Sequence, residues 1–441
     1  MLKRFKIGGI HPPENKLSKL CKIETLPIPA KVVIPMSQHI GAPAVATVAK
    51  GDKVKVGDII GNAGGFISAN VHSSVSGTVT AVDMVADGSG IKKMAVTITV
   101  EGDEWREDII RDTKLETQCN LSSSEIVEKI KAAGIVGMGG ATFPTNVKLT
   151  PPTGKEAKVL IINGVECEPH LTADHRVMLE RSEEILVGIE ILCKALNVNK
   201  AYIGIENNKP DAIAKLTKVN TNPNIEVVPL KVQYPQGGEK QLIDAVISRQ
   251  VPSGALPIDV GAVVQNVGTA LAVYEAVQKN KPLIERVVTV TGKTVTNPKN
   301  LLVRIGTPVS TLLEYCGYDD EQTEKVIGGG PMMGRAMCNI EAPIAKGSSG
   351  VLLMHKNEAR RNSAESCIRC SKCVDVCPMG LEPYLLSVLS KKSMFEECVE
   401  HLPNDCIECG SCSYTCPASL PLLDNIRIAK GEVMKILRGQ K

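Results

Sequence analysis

The sequence predicts a multidomain α/β protein built from four consecutive units. Three observations support this: short β-branched segments with Gly-Asp turns in the first quarter, a regular alternation of strands and helices in the middle, and two cysteine runs near the C-terminus. A chain of 441 residues is long enough for about two to four domains. We place the units at residues 1–115, 116–284, 285–350 and 351–441.

Composition excludes several classes of function. The 51 basic and 48 acidic residues give a net charge of only +3, and aromatic residues make up 3% of the chain, so binding to nucleic acid is not expected. No uninterrupted apolar run reaches the roughly 18 residues of a membrane helix, and the start of the chain lacks the apolar stretch of an export signal. We expect a cytoplasmic protein without a transmembrane segment, whose 15 cysteines indicate metal binding.

The first unit is predicted to be β-rich. Strand-like segments at Gly51–Ile60, Val71–Val79 and Met94–Val100 are separated by turn residues. This pattern resembles the barrel-sandwich hybrid fold of biotinyl and lipoyl domains. Those domains carry a modified lysine at a hairpin tip, and the matching stretch Ala63–Phe66 has none. We therefore interpret the first unit as a docking domain.

The second unit begins with a helix and a glycine-rich loop. Ser122 and Glu125 form a capping-box signature, and the helix that they open is predicted to end at Gly134. The loop Gly137–Thr145 follows, with Lys148 close behind. Glycines allow backbone N–H groups to approach a phosphate or a flat ring, and a lysine adds positive charge. The glycine order is not the dinucleotide fingerprint, and a tight structural turn is the alternative interpretation.

The rest of the second unit alternates strands with helices. We predict strands at Lys158–Ile162, Ala201–Glu206 and Ile225–Leu230, with helices at Ala173–Leu196 and Asp211–Lys218. Such a rhythm is typical of a mainly parallel sheet, whose ligands bind at the carboxyl ends of the strands. We expect one large ligand site there, formed by four polar loops. These loops are residues 137–145, 163–169, 234–241 and 266–269.

The third unit is predicted to be a small α/β domain. Short strands at Val287–Thr291 and Leu301–Ile305 are followed by a helix at Ser310–Cys316. A glycine-rich loop, Ile327–Gly334, is expected to reach the second unit.

Two cysteine runs in the fourth unit share one spacing. In each, three cysteines are separated by two residues, and a fourth follows after three more residues and precedes a proline. This is the bacterial ferredoxin signature for [4Fe–4S] clusters, in which the fourth cysteine ligates the other cluster. We therefore predict one ligand set of Cys367, Cys370, Cys373 and Cys416, and a second of Cys406, Cys409, Cys412 and Cys377.

Two alternatives to iron–sulfur clusters fit the cysteine pattern less well. Structural zinc usually takes two separated Cys-x2-Cys pairs, whereas here a tight triplet occurs twice. Disulfides are not expected in a chain without an export signal. The remaining cysteines match no ligand pattern and are predicted to be small apolar residues of the interior. They are Cys21, Cys119, Cys167, Cys193, Cys316, Cys338 and Cys398.

Several motifs in fixed order give the sequence a resemblance to a known family. The loop 137–145, the Asn-Gly-x-Glu-x-Glu-Pro of 163–169, the Gly-Glu of 238–239 and the Asn-Val-x-Thr of 266–269 resemble the flavoprotein of respiratory complex I that binds NADH and FMN. The subunit designated C in the Rnf complexes, which are membrane-associated ferredoxin:NAD⁺ oxidoreductases, is more similar. The resemblance implies a barrel-sandwich domain, a flavin domain, a soluble-ligand-binding β-grasp (SLBB) domain and a helical domain with two clusters.

The resemblance also implies site residues, with no catalytic acid or base among them. The residues implied for non-covalent FMN binding are Gly137, Gly139, Gly140, Lys148, Asn163, Asn266 and Thr269. The residues implied for NAD(H) are Phe143, Glu166, Glu168, Tyr234, Gly238 and Glu239. The chain departs from the complex I pattern at Met138, Val165 and Lys240, and the last two bear on dinucleotide contact.

The expected activity is that of an NAD-dependent oxidoreductase subunit. Hydride passes between NAD(H) and FMN, and single electrons pass through two clusters to partners. The resemblance implies membrane and iron–sulfur subunits as partners, ferredoxin as an indirect partner, and a peripheral location on the cytoplasmic face of the cell membrane. Two alternatives remain open at this point: an NADH-dependent cobalamin reductase with the same modules, and a non-enzymatic electron-transfer subunit.

Overall fold

The computed structural model describes residues 2–439, and its strands form four sheets. The strands are β1 (Ile23–Thr25), β2 (Lys31–Pro35), β3 (Val45–Ala46), β4 (Lys53–Val54), β5 (Ile59–Asn62), β6 (Val71–His72), β7 (Gly77–Ala86), β8 (Lys92–Val100), β9 (Val159–Asn163), β10 (Ala201–Glu206), β11 (Ile225–Leu230), β12 (Ala262–Asn266), β13 (Glu285–Gly292), β14 (Lys299–Arg304), β15 (Thr323–Gly328), β16 (Arg335–Met337) and β17 (Gly350–His355).

The helices concentrate in the second and fourth units. They are α1 (Ser123–Ala132), α2 (Thr145–Lys148), α3 (Ala173–Glu180), α4 (Ser182–Leu196), α5 (Pro210–Val219), α6 (Glu239–Ile247), α7 (Val267–Lys279), α8 (Val309–Cys316), α9 (Lys356–Ala359), α10 (Lys372–Asp375), α11 (Pro383–Lys391), α12 (Phe395–Glu400), α13 (Ser411–Thr415) and α14 (Leu422–Gly439). Short 3₁₀ helices lie at Pro257–Val260 and Pro403–Asp405. Nowhere in residues 2–439 is a helix both long enough and apolar enough to cross a membrane.

The first unit consists of two small antiparallel sheets, as expected for a β-rich domain. One has the strand order β2-β8-β7-β4 and the other β3-β5-β6. Val32, Ile34, Ile60 and Ile98 are fully buried in its core. In β2 three successive apolar residues, Val32–Ile34, are buried, and in β8 the buried residues are Ala95, Val96 and Ile98.

The second unit contains the predicted parallel sheet, in the order β11-β10-β9-β12. Successive side chains of a strand point to opposite faces, and β9 shows both faces buried. Ile161 packs with α6, whereas Leu160 and Ile162 pack with α4 and α7. Because all four strands run in parallel, their carboxyl ends lie along one edge of the sheet.

The single helix predicted for Ala173–Leu196 is wrong, because the structure divides it at Arg181. That residue has φ −128° and ψ 34°, outside the helical region, and separates α3 from α4. The Ser182 hydroxyl donates to the Met178 carbonyl at 2.7 Å, which competes with the regular helical hydrogen bond. The Arg181 guanidinium donates to Glu184 and Glu275 and holds the bend in place.

The third unit is a six-stranded sheet in the order β1-β14-β13-β17-β15-β16, with α8 packed against it. Two of its strands lie outside the predicted boundaries of 285–350. β1 pairs in parallel with β14, so residues 23–25 belong here and not to the first unit. β17 pairs with β13 and β15 and extends the unit to His355. The apolar run at 350–354 is buried on both faces, as a central strand requires.

The fourth unit is helical, and α11 packs against α14 around Leu386 and Ile426. The two helices agree with the helical domain that the resemblance implies for this unit, and they flank the second cysteine run. Cys373 lies in α10 and Cys412 in α13, and the other six cysteines of the two runs lie in the segments between the helices. Of the seven cysteines predicted to be interior, Cys398 is fully buried against α14 and Cys316 is also buried, but the prediction is wrong for Cys338, which is exposed.

Candidate functional site

The four polar loops meet at the carboxyl edge of the parallel sheet, as predicted. The Met138 N–H donates to Thr269 Oγ1 at 3.0 Å and joins the first loop to the last. The Asn163 side chain donates to the Gly237 carbonyl at 2.8 Å and joins the second loop to the third. Asn266 Nδ2 lies 3.4 Å from the Asn163 carbonyl and joins the last loop to the second, so that the three contacts connect all four loops.

The glycine loop has a packed back and an open front. The Gly137 N–H donates to the Phe143 carbonyl at 2.9 Å and closes the loop on itself. A Cβ on Gly139 would lie 2.9 Å from Asn266 Nδ2, so a side chain there would push the loop off its support. A Cβ on Gly140 would meet nothing within 4 Å. A glycine backbone held from behind and open in front fits an anionic group bound by N–H donors, such as the phosphate of FMN.

Asn266 organises the inner end of this edge. Its Oδ1 accepts the Gly268 N–H at 2.8 Å as the N-cap of α7, and its Nδ2 donates to Asp174 Oδ2 at 2.7 Å. Burial raises the pKa of Asp174 to about 7, and the neighbouring charge of Glu166 adds to the increase. Sequence reasoning missed Asp174, because it lies in a helix with no motif to mark it.

Lys148 and Glu239 form an ion pair at the mouth of the site. Lys148 Nζ lies 2.6 Å from Glu239 Oε1 and also donates to the Val264 carbonyl at 3.1 Å. The two side chains are 29% and 39% exposed, and a pair this exposed contributes at most about 1 kcal/mol. Lys148 can therefore exchange its carboxylate partner for a ligand phosphate at little cost.

Glu166 is engaged by the protein itself. Its carboxylate accepts the N–H groups of Asp174 at 2.7 Å and His175 at 3.2 Å, at the N-terminus of α3. An acidic group is stabilised there by the helix dipole and the free N–H groups. The Lys16 ammonium donates to the carbonyls of Glu166, Glu168 and Leu171, and so ties down the whole turn. A nucleotide contact for Glu166 stays a prediction.

Glu168 joins the second loop to the third unit. Its Oε1 accepts the N–H groups of Met332 and Met333, each at 2.8 Å, so the loop Ile327–Gly334 reaches the second unit as expected. Burial raises the pKa of Glu168. The role predicted for this carboxylate in nucleotide binding stays a prediction.

Tyr234 differs from its predicted role in nucleotide contact. Its side chain is 2% exposed, and its hydroxyl donates to the Cys409 carbonyl at 2.8 Å. Backbone hydrogen bonds of 2.9 Å in both directions pair Tyr234 with Ile10 and hold the ring toward the fourth unit. The structure therefore makes Tyr234 a contact between the ligand edge and the second cysteine run.

The structure places Cys412 near Cys377, Cys406 and Cys409, and Cys373 near Cys416, whereas the ligation of two clusters by all eight cysteines stays a prediction. Burial raises the pKa of Cys412 to about 12, and the nearby Cys409, Cys406 and Cys377 raise it further. Burial also raises the pKa of Cys373, with a contribution from Cys416. Cys377 thus lies beside the second run and Cys416 beside the first. We call Cys377, Cys406, Cys409 and Cys412 the inner set, and Cys367, Cys370, Cys373 and Cys416 the outer set.

The donor chemistry of both sets suits iron–sulfur clusters. Four thiolates in this spacing are the ligands that [4Fe–4S] clusters take, and the low-dielectric surroundings of the inner set favour bound thiolates over free ones. Within residues 2–439, no three His, Cys, Asp or Glu side chains surround a position for a single metal ion.

An N-terminal arm, residues 2–17, covers the inner set and was missed from the sequence. The Gly9 N–H donates to the Val376 carbonyl at 3.0 Å, and Gly8 packs on the backbone of Cys377. A Cβ on Gly8 would lie 2.6 Å from the Cys377 carbonyl, and its φ of +71° is itself unfavourable for other residues. The pair of glycines was the one available signal, and it marks the close approach of two backbones.

Family comparisons divide the chain in the same order as the structure. The RnfC barrel sandwich hybrid domain matches residues 3–104, and the Nuo51 FMN-binding domain matches residues 130–275. The SLBB domain matches residues 287–336, and the 4Fe-4S dicluster domain matches residues 359–417.

Curated relatives cover nearly the whole chain. The chain is 49% identical over 403 residues to the subunit designated C of the proton-translocating ferredoxin:NAD(+) oxidoreductase complex of Clostridium ljungdahlii, covering 91% of this chain and 87% of the relative. It is 43% identical to the Na(+)-translocating counterpart of Acetobacterium woodii, covering 97% and 96%. Among solved structures, an NAD+-reducing [NiFe]-hydrogenase aligns with a TM-score of 0.49 at 16% identity, covering 71% of this chain and 63% of that one.

Proposed function

Since the chain belongs to the RnfC family of Rnf-type ferredoxin:NAD⁺ oxidoreductase complexes, we propose that it is the subunit through which electrons pass between NAD(H) and the rest of such a complex. It is an oxidoreductase subunit that carries FMN and two [4Fe–4S] clusters. One observation carries the proposal: the edge where the four loops meet is joined through Tyr234 to the backbone of Cys409.

The loop edge is where FMN binds in this proposal. When bound, FMN exchanges a hydride with a nicotinamide and single electrons with an iron–sulfur cluster. The nicotinamide transfers two electrons together and the cluster only one, so FMN links the two. The N–H groups of Gly139 and Gly140 would hold the phosphate of FMN, with Asn266 packed behind Gly139. Gly137, Lys148, Asn163 and Thr269 would complete the FMN contacts, and Lys148 would exchange Glu239 for the phosphate.

The nucleotide approaches from the mouth of the same site. Phe143 is half-buried beside the glycine loop and offers a ring for the adenine to stack on. Gly238 and Glu239 begin α6, where N–H groups and a carboxylate are available for the ribose hydroxyls. Glu166 and Glu168 shape the floor through their hydrogen bonds to α3 and to the third unit. The chain supplies position rather than acid–base chemistry.

The other subunits of an Rnf-type complex are the partners of this chain. We further propose that these include membrane and iron–sulfur subunits, with ferredoxin as an indirect partner. The chain then lies peripherally on the cytoplasmic face of the membrane. No observation favours a cobalamin reductase or a subunit without a flavin.

Cofactor analysis of anaerobically purified protein tests this proposal. We expect about eight irons per chain, as two [4Fe–4S] clusters require, together with FMN in a one-to-one ratio. NADH should bleach the flavin absorbance within the mixing time of a manual assay. Bound zinc in place of iron, with no flavin after reconstitution, would contradict it.

A further inference from the structure

The segment that carries the first three cysteines is rich in exposed cations. From residue 356 to residue 372 there are five basic and two acidic residues, a net charge of +3 (5 − 2), equal to that of all 441 residues. The five basic residues are Lys356, Arg360, Arg361, Arg369 and Lys372. All five are exposed, and the stretch from Arg360 to Ser371 has no helix or strand. The first cysteine run therefore lies within a local excess of positive charge.

Four of these five cations have no carboxylate partner within residues 2–439. Arg361 pairs with Asp424 at 2.7 Å, and Glu358 is paired with Lys293. No carboxylate of residues 2–439 comes within 4.0 Å of the side-chain nitrogens of the other four, which are Lys356, Arg360, Arg369 and Lys372. An exposed cation without a partner keeps its full charge toward solvent.

Nearby carboxylates offset this charge only in part. The Glu382 carboxylate lies 3.8 Å from His401 Nδ1 and accepts a hydrogen bond from the Tyr384 hydroxyl at 3.4 Å. Asp375 is an exposed carboxylate at the end of α10, and Glu365 lies within the cationic segment.

Exposed apolar side chains lie among the outer cysteines. Ile368 is 69% exposed and directly follows Cys367. Tyr414 is 53% exposed and lies between two cysteines of the second run, while Tyr384, 39% exposed, donates its N–H toward Cys373. Apolar and aromatic centres with a charged rim are typical of protein–protein interfaces.

We propose that the surface formed by Arg360, Arg369, Lys372, Ile368, Tyr384 and Tyr414, the outer rim, docks an acidic iron–sulfur electron-transfer domain of a partner protein. The inference rests on the proposed function, because it assumes that the outer set holds a cluster. Positive charge selects an acidic partner and speeds its approach, while the apolar centre brings the two clusters close. Electron-transfer encounters use small, weak interfaces, which a rim of six side chains can supply.

Charge reversal at the rim tests the docking. The R360E/K372E double variant of the full, cluster-loaded chain is compared with K215E/K218E, which reverses two exposed lysines of α5. The probe is a purified acidic two-[4Fe–4S] ferredoxin, and the readout is its Kd measured by calorimetry. We expect the rim variant to weaken binding at least ~10-fold at low salt, and the α5 variant to change it less than ~2-fold. At ~0.5 M salt the rim effect should largely disappear.

Three outcomes overturn the docking proposal. The first is an equal change in the ferredoxin Kd in the two double variants. The second is a Kd that does not change with ionic strength, and the third is unchanged binding of a ferredoxin whose carboxylates are replaced by amides. Iron content is measured in each sample. If the R360E/K372E variant loses iron, the measurement is repeated with the R360E single variant, because Arg360 lies farther along the chain from the cysteines than Lys372 does. Absence of flavin and iron from the unmodified chain contradicts the proposed function, whereas a loaded, NADH-reducible chain without charge-dependent binding contradicts only the docking.

Discussion

The inner and outer cysteine sets have the same spacing along the chain and opposite surroundings. Cys377, Cys409 and Cys412 of the inner set are 7%, 7% and 8% exposed, covered by the N-terminal arm and by Tyr234. Cys367 and Cys370 of the outer set are exposed, in a segment without regular structure. Spacing thus predicts which cysteines ligate each cluster, and packing against other units determines how deeply each set is buried.

The inner set is more buried than the outer set because it packs against the second unit. The inner set is packed against the same edge that carries the four loops, with Glu168 and Tyr234 between them. The outer set has cations and exposed aromatic side chains instead. We therefore propose that a partner approaches the outer set and that electrons from the loop edge reach the inner set first.

Removal of the exchanged cysteines is expected to have the largest effect. In C377A the inner cluster should be lost although Cys377 belongs to the first run, and in C416A the outer cluster should be lost although Cys416 belongs to the second. Iron should fall from about eight to about four per chain in each variant, and the EPR spectrum should retain one cluster. Loss of the same EPR signal in both variants would contradict the exchange, and C398A, outside both sets, is the control.

Displacement of the N-terminal arm is expected to have the second largest effect. G8A places a Cβ 2.6 Å from the Cys377 carbonyl at a φ of +71°. We expect a loss of about 2–3 kcal/mol in the free energy of unfolding and faster loss of the inner cluster in air. G254A has a similar φ of +69° with nothing within 4 Å, so it carries the backbone strain alone. Equal denaturation midpoints for the two variants would show that the arm contact contributes nothing.

Removal of one hydroxyl at the junction is expected to have a smaller effect. Y234F leaves the Cys409 carbonyl without its donor, in a site where the tyrosine is 2% exposed. An unpaired buried acceptor costs about 1–3 kcal/mol, which denaturant unfolding should resolve. Y202F, at a half-buried tyrosine of β10, is the matched control. A variant as stable as its control would remove Tyr234 from the coupling between loop edge and inner set.

The smallest effect concerns pH and separates the loop edge from both cysteine sets. The pKa of Asp174 is raised to about 7 in the folded protein, mainly by burial. Its contribution to stability is present below the unfolded pKa of roughly 4 and is lost as the pH rises through about 7. D174N keeps an acceptor for Asn266, so it should be as stable as the unmodified chain at pH 4 and more stable than it at pH 8. A constant difference at both pH values would contradict this.

Local signals predicted most of the fold. The capping box of Ser122 and Glu125 is present, and β10 and β11 have the predicted ends, because such features depend on neighbours in the chain. The break at Arg181 was missed because its hydrogen bonds reach Glu275 in α7. The three-residue strand β1 was missed because it exists only through its pairing with β14.

The parts of the candidate site that depend on local pattern were predictable from the sequence, as were the local features of the fold. The convergence of the four loops follows from parallel strands, and the contents of the two cysteine sets follow from their spacing. The contact of Tyr234 with Cys409 depends on the arm, which holds Tyr234 through Ile10, far away in sequence. No pattern along the chain marks such a contact.

The central claim is that electrons pass from the loop edge to the inner set and then to the outer set. Freeze-quench EPR after mixing with NADH tests it directly, in the unmodified chain and in variants that each keep one cluster. With only the inner cluster present (C370A), its reduction should keep the rate of the unmodified chain. With only the outer cluster present (C412A), reduction should be slower by at least ~10-fold while NADH still bleaches the flavin. Reduction of the outer cluster at an unchanged rate in C412A would contradict the account.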